Sequence, residues 1–190
     1  TSTAFVIGDY GTILRGTPAG WASQESGSQA TLLGIWGVDD NDIWAVGLGG
    51  TALHGANGAW TSTTTGTTQP LRAVWGTSST AVWAVGDQGT IIRWDGATWT
   101  PEATPVTGQL VYLTSIWGTA TNDIWIAGDN GLILHYDGSA WTQPGSGTAN
   151  RLRSLWGTGA GDVWAVGDGG TVRRWNGSTW QAQPTVNGGM

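Results

Sequence analysis

Indole rings recur in this chain at fixed intervals, and that lattice constrains the fold more than any other feature. Aligned on a turn of the form Gly-Asp-x-Gly, five units place their turns at Gly8, Gly47, Gly86, Gly128 and Gly167, spaced 39, 39, 42 and 39 residues. Ahead of these turns stand Phe5, Trp44, Trp83, Trp125 and Trp164; behind them stand Trp21, Trp60, Trp99, Trp141 and Trp180. Further upstream of each turn but the first comes Trp36, Trp75, Trp117 or Trp156, so that 13 of the 15 tryptophans fall on three positions. Self-similarity with a period near 40 marks a repeat architecture in which each unit buries its faces against its neighbours.

Each unit reads as four short strands, termed a to d. In the third unit strand a is "LRAVWG", the loop "TSSTA" leads to strand b, "VWAVG", and the turn "DQG" leads to strand c, "TIIRW". Asp95-Gly96 makes a second hairpin signal before strand d, "TWTPE". β-branched and aromatic residues fill the strands, and Asp and Gly at the b–c turn are read as the residues that accept positive φ. A polar link such as "TSTTTGTTQP" then runs to the next unit. No helical periodicity is present. The expectation is an all-β, five-bladed β-propeller of four-stranded antiparallel blades in one domain, residues 1–190. Its repeats run about 1–32, 33–71, 72–113, 114–152 and 153–190. Trp44, Trp83, Trp125 and Trp164 are expected to fill the wedges between blades.

The first unit lacks strand a, so its ladder groups need partners. Three arrangements meet this: a closed ring with one three-stranded blade, a tail "PTVNGGM" paired in place of the strand, or a piece of a longer array. The closed five-bladed ring is the expectation, as a monomer, with a strand-sharing oligomer as the variant.

Composition narrows function. There is no Lys, the seven basic residues are all Arg, and the net charge is -6. Nucleic-acid binding needs a basic footprint, so no nucleic-acid partner is expected. No apolar run approaches the roughly 20 residues of a membrane helix, so no membrane insertion is expected. No signal peptide is visible and the chain starts without Met, as a processed product would. The absence of Cys excludes disulfides without fixing a compartment; few charges with abundant Thr, Ser, Gly and Trp suit a secreted or cell-surface module.

The unit "VWAVGD.GTI.RWDG..W" resembles Trp-rich propeller repeats of large secreted or surface proteins of bacteria, and more loosely the Asp-box (BNR-type) repeats. The Asp-box turn has Ser/Thr-x-Asp-x-Gly-x-Thr-Trp; here it is Asp95-Gly96-Ala97-Thr98-Trp99, one residue shorter, with Asp137 and Asn176 in matching places. The first two units, "RGTPAGW" and "HGANGAW", lack both the aromatic residue and the Asp. Five-bladed lectins of the tachylectin-2 type are the architectural analogy, and the resemblance implies multivalent carbohydrate binding.

Three residue series are candidate sites. Strand c carries Arg15, His54, Arg93, His135 and Arg174, either a ring of donors for anionic or hydroxyl-rich ligands or structural partners of Asp42, Asp123, Asp162 and tryptophan faces. The b–c turns carry Asp9, Asp87, Asp129 and Asp168, with Leu48 breaking the series. They share a face with the d–a links, the preferred binding face, and serve either as turn residues or as hydroxyl acceptors. The pairs Trp94-Asp95, Tyr136-Asp137 and Trp175-Asn176 set a ring beside a polar group, as many lectins do to hold a sugar. Asp39 to Asp42 resembles a calcium-loop fragment but lacks Gly and Glu at the needed offsets, so no metal and no cofactor is expected.

Catalytic signatures are missing: there is no nucleophile elbow, Walker loop or His cluster with metal spacing, and the two Glu, Glu25 and Glu102, sit in outer-strand and link positions. Two functions remain. One is a non-enzymatic multivalent module for glycans; the other is a structural or protein-interaction propeller binding a surface protein, natural or engineered.

Overall fold

The computed structural model describes residues 3–106 and 110–184. The proposed tail pairing, over 185–190, lies outside them. Five antiparallel sheets follow one another along the chain. Blade 1 has three strands, β1 (Ala4–Ile7), β2 (Ile13–Thr17) and β3 (Gly20–Gln24). Blade 2 has β4 (Leu32–Asp39), β5 (Asp42–Gly47), β6 (Ala52–Ala56) and β7 (Ala59–Thr63); blade 3 has β8 (Leu71–Ser78), β9 (Ala81–Gly86), β10 (Ile91–Trp94) and β11 (Trp99–Pro101). Blade 4 has β12 (Leu113–Ala120), β13 (Asp123–Gly128), β14 (Ile133–Tyr136) and β15 (Trp141–Thr142). Blade 5 has β16 (Leu152–Gly159), β17 (Asp162–Gly167), β18 (Thr171–Trp175) and β19 (Trp180–Ala182). This is a five-bladed β-propeller whose first blade lacks strand a, as the period predicts.

In blades 2, 3 and 4 the second strand is central in its sheet and has a neighbouring blade on each face, so it is apolar at nearly every position. β9 is buried along its whole length. One face of that strand carries the large ring, Trp44, Trp83 or Trp125, each under 2% exposed, and the other carries Ala45, Ala84 or Ile126. The joints repeat one recipe. Trp44 of blade 2 meets Trp99 of blade 3 edge-on, with centroids 5.0 Å apart; Trp125 of blade 4 meets Trp180 of blade 5 at 5.5 Å; Phe5 of blade 1 meets Trp60 of blade 2 at 6.4 Å. The third tryptophan series closes the inner side. A Cβ built on Gly76 would lie 2.9 Å from the Trp36 ring, and one on Gly118 2.7 Å from the Trp75 ring, so each indole lies flat on the glycine of the next blade.

Two expectations need correction. In the b–c turns the Asp is not the residue with positive φ. Thr90 N–H donates to the Asp87 carbonyl (3.1 Å), and the left-handed pair is Gln88 (φ 55°) and Gly89 (φ 69°). This is a type I′ turn with Asp at its first position, because only the central pair must match the strand twist. The ring, moreover, is not closed. Hydrophobic clusters join blades 1 and 2, 2 and 3, 3 and 4, and 4 and 5; among the described residues none joins blade 5 to blade 1. Val6 and Trp21 on one terminal face are 46% and 57% exposed, and Trp156 and Val166 on the other are 61% and 43% exposed. A repeat supplies two complementary faces per blade, but nothing in it fixes the angle at which the fifth blade must meet the first.

Candidate functional site

The d–a links and the b–c turns share one face. Gly11 N–H donates to the Ala30 carbonyl (2.8 Å), Gly89 N–H to Val111 (2.9 Å) and Asp168 N–H to Arg151 (2.9 Å), tying turn to link in blades 1, 3 and 5. Because the turn Asp sits at the first position, its side chain projects toward strand a. There it meets an arginine. Arg72 of β8 grips Asp87 with two nitrogens, Nη2 to Oδ2 at 3.0 Å, and Arg153 of β16 grips Asp168 the same way at 3.1 Å. In blade 4 the strand-a position is Thr114, and Arg151 from the neighbouring link approaches Asp129 instead, at 2.9 Å. In blade 1, with no strand a, Asp9 accepts from the Thr31 hydroxyl at 2.9 Å. Arg153 beside Asp168 holds that carboxyl below its ordinary range.

Tyr112, half-exposed, lies among these pairs. The Arg72 guanidinium is 5.1 Å from its ring centre and the Arg151 guanidinium 5.8 Å, a cation–π contact from two blades. Blade 2 breaks the pattern in both partners at once. Leu33 and Leu48 stand where Arg72 and Asp87 stand in blade 3, and both are exposed. The inner rim of this face thus carries arginines, carboxylates, the Tyr112 ring and two exposed leucines.

The strand-c basic residues are engaged elsewhere, with the a–b loops. His54 Nε2 lies 2.7 Å from Asp42, His135 Nε2 2.8 Å from Asp123, and Arg174 Nε donates to Asp162 at 2.7 Å. His54 and His135 also stack on Trp44 and Trp125, and Arg174 covers Trp164. In blade 3 Ala81 replaces the Asp, and Arg93 lies over Trp83. Arg15 reaches across the joint to Asp40 at 3.1 Å. Asp162 is lowered first by the Thr158 hydroxyl and then by Arg174.

Trp94, Tyr136 and Trp175 belong to the joints. Trp94 lies 4.9 Å from Trp44 of the preceding blade and 5.7 Å from its own blade's Trp99; Trp175 lies 5.0 Å from Trp125 and 6.0 Å from Trp180; Tyr136 lies 5.1 Å from Trp141. Where blades 1 and 2 carry Gly16 and Gly55, the ring of Trp21 or Trp60 folds over the bare backbone, 2.8 and 2.9 Å from where a Cβ would stand. Glycine and aromatic residue are alternative ways to seat the same indole.

The acids beside these rings cap their own turns. Asp95 Oδ1 accepts from the N–H groups of Ala97 (2.9 Å) and Thr98 (2.8 Å), and Asn176 Oδ1 from Ser178 and Thr179 (both 3.0 Å). Asp137 accepts the Ser139 hydroxyl and the N–H groups of Ala140 and Ser139, which bring its pKa down to about 2. Its folded pKa lies below the unfolded one, so this turn's support is complete above about pH 4 and is lost as pH falls through about 2. Asn176 offers the same oxygen without a titrating proton. In an NMR acid titration the Ser139 and Ala140 amide shifts should move with a midpoint near 2, while Ser178 and Thr179 stay fixed. Equal movement at both turns would refute this.

The Asp39–Asp42 loop is split among partners: Asp39 accepts from Asn41 N–H, Asp40 from Arg15, and Asp42 faces His54. Among the described residues no three His, Asp or Glu side chains converge on a metal-sized site. Clefts of about 320, 360 and 210 Å³ lie between turns and links at blade 4, at blades 2 and 3, and at blade 1. The sequence reading missed Arg72, Arg151, Arg153, Tyr112 and Leu33. Its available signal was the 15-residue spacing of Arg72 from Asp87 and of Arg153 from Asp168, repeated by Leu33 and Leu48.

No family model and no curated protein matches the chain. Solved structures do. YCF48 bound to D1 peptide aligns with a TM-score of 0.72 at 14% identity, over 97% of this chain and 64% of that one. The Swd1 β-propeller domain of Myceliophteria thermophila aligns at 0.69 and 11% identity, over 98% and 73%. A chain of the COPII outer coat vertex on membranes aligns at 0.65 and 15% identity, over 96% and 64%. These likenesses show the propeller fold, and the chain spans just under two-thirds of the YCF48 chain. Among the described residues no helix is long and apolar enough to cross a membrane.

Proposed function

We propose that this chain is a non-catalytic, protein-interaction propeller of a secreted or surface protein, and that it grips an extended peptide across the inner rim of the turn face. The observation that carries this reading is Tyr112, held between Arg72 and Arg151 and sharing its rim with the exposed Leu33 and Leu48. Tyr and Arg beside exposed apolar side chains are the residue types that dominate protein contacts. The carboxylates next to the arginines add acceptors for peptide N–H groups. YCF48, similar in fold, is seen with a bound peptide. Two fold neighbours, the Swd1 propeller domain and the COPII coat chain, are in keeping with a scaffold.

The test is selection of a random-peptide display library on the purified chain. Enriched peptides should bind about tenfold or more weakly to Tyr112→Ala and to the Leu33→Asp/Leu48→Asp pair. Asp95→Asn, on the opposite end of the sheets, should leave binding unchanged. No enrichment, or enrichment indifferent to Tyr112, overturns the reading. Carbohydrate binding is the second reading, favoured by the three polar clefts of similar build. The rings of Trp94, Tyr136 and Trp175 line none of these clefts; the aromatic residues that do are Tyr10 at blade 1 and Trp99 at blades 2 and 3. A glycan array that responds to changes in Gln143 or Ser146 would favour it over the peptide reading.

A further inference from the structure

β1 gives one edge to β2, with Phe5 opposite Arg15; among the described residues its other edge pairs with nothing. In the other blades that edge is taken by strand a in one register, with Trp36 opposite Trp44, Trp75 opposite Trp83, Trp117 opposite Trp125 and Trp156 opposite Trp164. β4, facing β1 across the joint, is uncovered in the complementary way. Gly37 is exposed, whereas Gly76 and Gly157 are buried under the indoles of the preceding blade. Ile35 is half-buried, whereas Val74, Ile116 and Leu155 are buried. Between β1 and β4 runs a groove of about 280 Å³ bordered by Phe5, Ile35, Trp36, Gly37 and Ile43.

We propose that this groove is a strand-addition site that takes one extended segment bearing the sequence Leu-x-x-(Ile/Val/Leu)-Trp-Gly. The segment pairs antiparallel with β1, its Trp comes opposite Phe5, and its indole lies on Gly37 and against Ile35. Main-chain hydrogen bonds supply affinity, and the indole supplies specificity. The choice of occupant follows from continuity: the three joints from blade 2 to blade 5 are built from this sequence, with Trp36, Trp75 and Trp117 on Gly76, Gly118 and Gly157, and the groove is the same joint with that strand left out. An edge with unmet N–H and C=O groups beside an apolar trough is a template for such pairing. The site is separate from the turn-face rim, and neither proposal needs the other.

A peptide with the sequence RLRSLWGTG, that of residues 151–159, is labelled with fluorescein and titrated with the full chain. Saturable binding is expected, accompanied by slowed amide exchange in β1. A peptide with Ala for the Trp, and one with Pro for the Ser, should bind roughly tenfold or more weakly. Ile35→Ser in the protein should weaken binding with β-sheet circular dichroism unchanged. Should that variant unfold, the two peptide changes still decide the matter. Absence of saturable binding, equal binding of the Trp-to-Ala peptide, or exchange protection centred on blade 5 in place of β1 would each overturn the site.

Discussion

Trp125→Ala should cost about 3–5 kcal/mol of stability, whereas Trp164→Ala, at the same strand position one blade later, should cost about 1 kcal/mol or less. The difference comes from what each ring touches. Trp125 is 1% exposed, stacks on His135 at 3.9 Å, and packs against Trp175 and Trp180 of the next blade. Its removal leaves a cavity among rings held by two sheets, which cannot collapse without moving a blade. Trp164 has Arg174 over it and an Nε1–H bond to Asp162, but no blade beyond. Urea unfolding of both variants, followed by circular dichroism, measures the contrast. Equal losses would mean that blade 5 meets blade 1 after all.

Gly131→Ala should prevent folding or cost several kcal/mol, while Gly49→Ala should cost only about 1–2 kcal/mol. Both glycines have positive φ, +69° and +67°, so both substitutions carry left-handed strain. Only Gly131 adds a collision, since a Cβ there would lie 2.0 Å from the Thr148 carbonyl oxygen and 3.0 Å from the Ser146 hydroxyl, while Gly49 has open space. That carbonyl also accepts the hydroxyl of the buried Ser146 at 3.3 Å, so the link cannot yield cheaply. Thermal melts of the two variants separate backbone strain from steric exclusion. If Gly131→Ala melts like Gly49→Ala, the turn and link are not docked as described.

Period and residue type made the blades legible in the sequence. Trp83, Trp125 and their equivalents announce the joints because nothing but a buried wedge needs so large a ring at so fixed a spacing. The open joint was not legible: Val6 and Trp21 are ordinary repeat residues, and only their missing neighbour exposes them. The aromatic residues at Trp94, Tyr136 and Trp175 read as surplus to packing because their exchange with Gly16 and Gly55 looks like loss. In space the neighbouring indole fills the gap. The rim was hidden for a related reason. Arg72 and Asp87 lie on different strands, and a carboxylate in a turn reads first as a turn residue. The double exchange to Leu33 and Leu48 becomes visible only once both positions are known to face each other across a strand pair in the other blades.

Each hydrophobic cluster spans two successive blades and no more. Stability of such an object is a sum over adjacent units, so no interface records how many units there are. A gene encoding this chain can gain or lose a whole copy of the unit without redesigning any contact. The number of blades is therefore set by no single seam, whereas each seam needs only its own two faces to match.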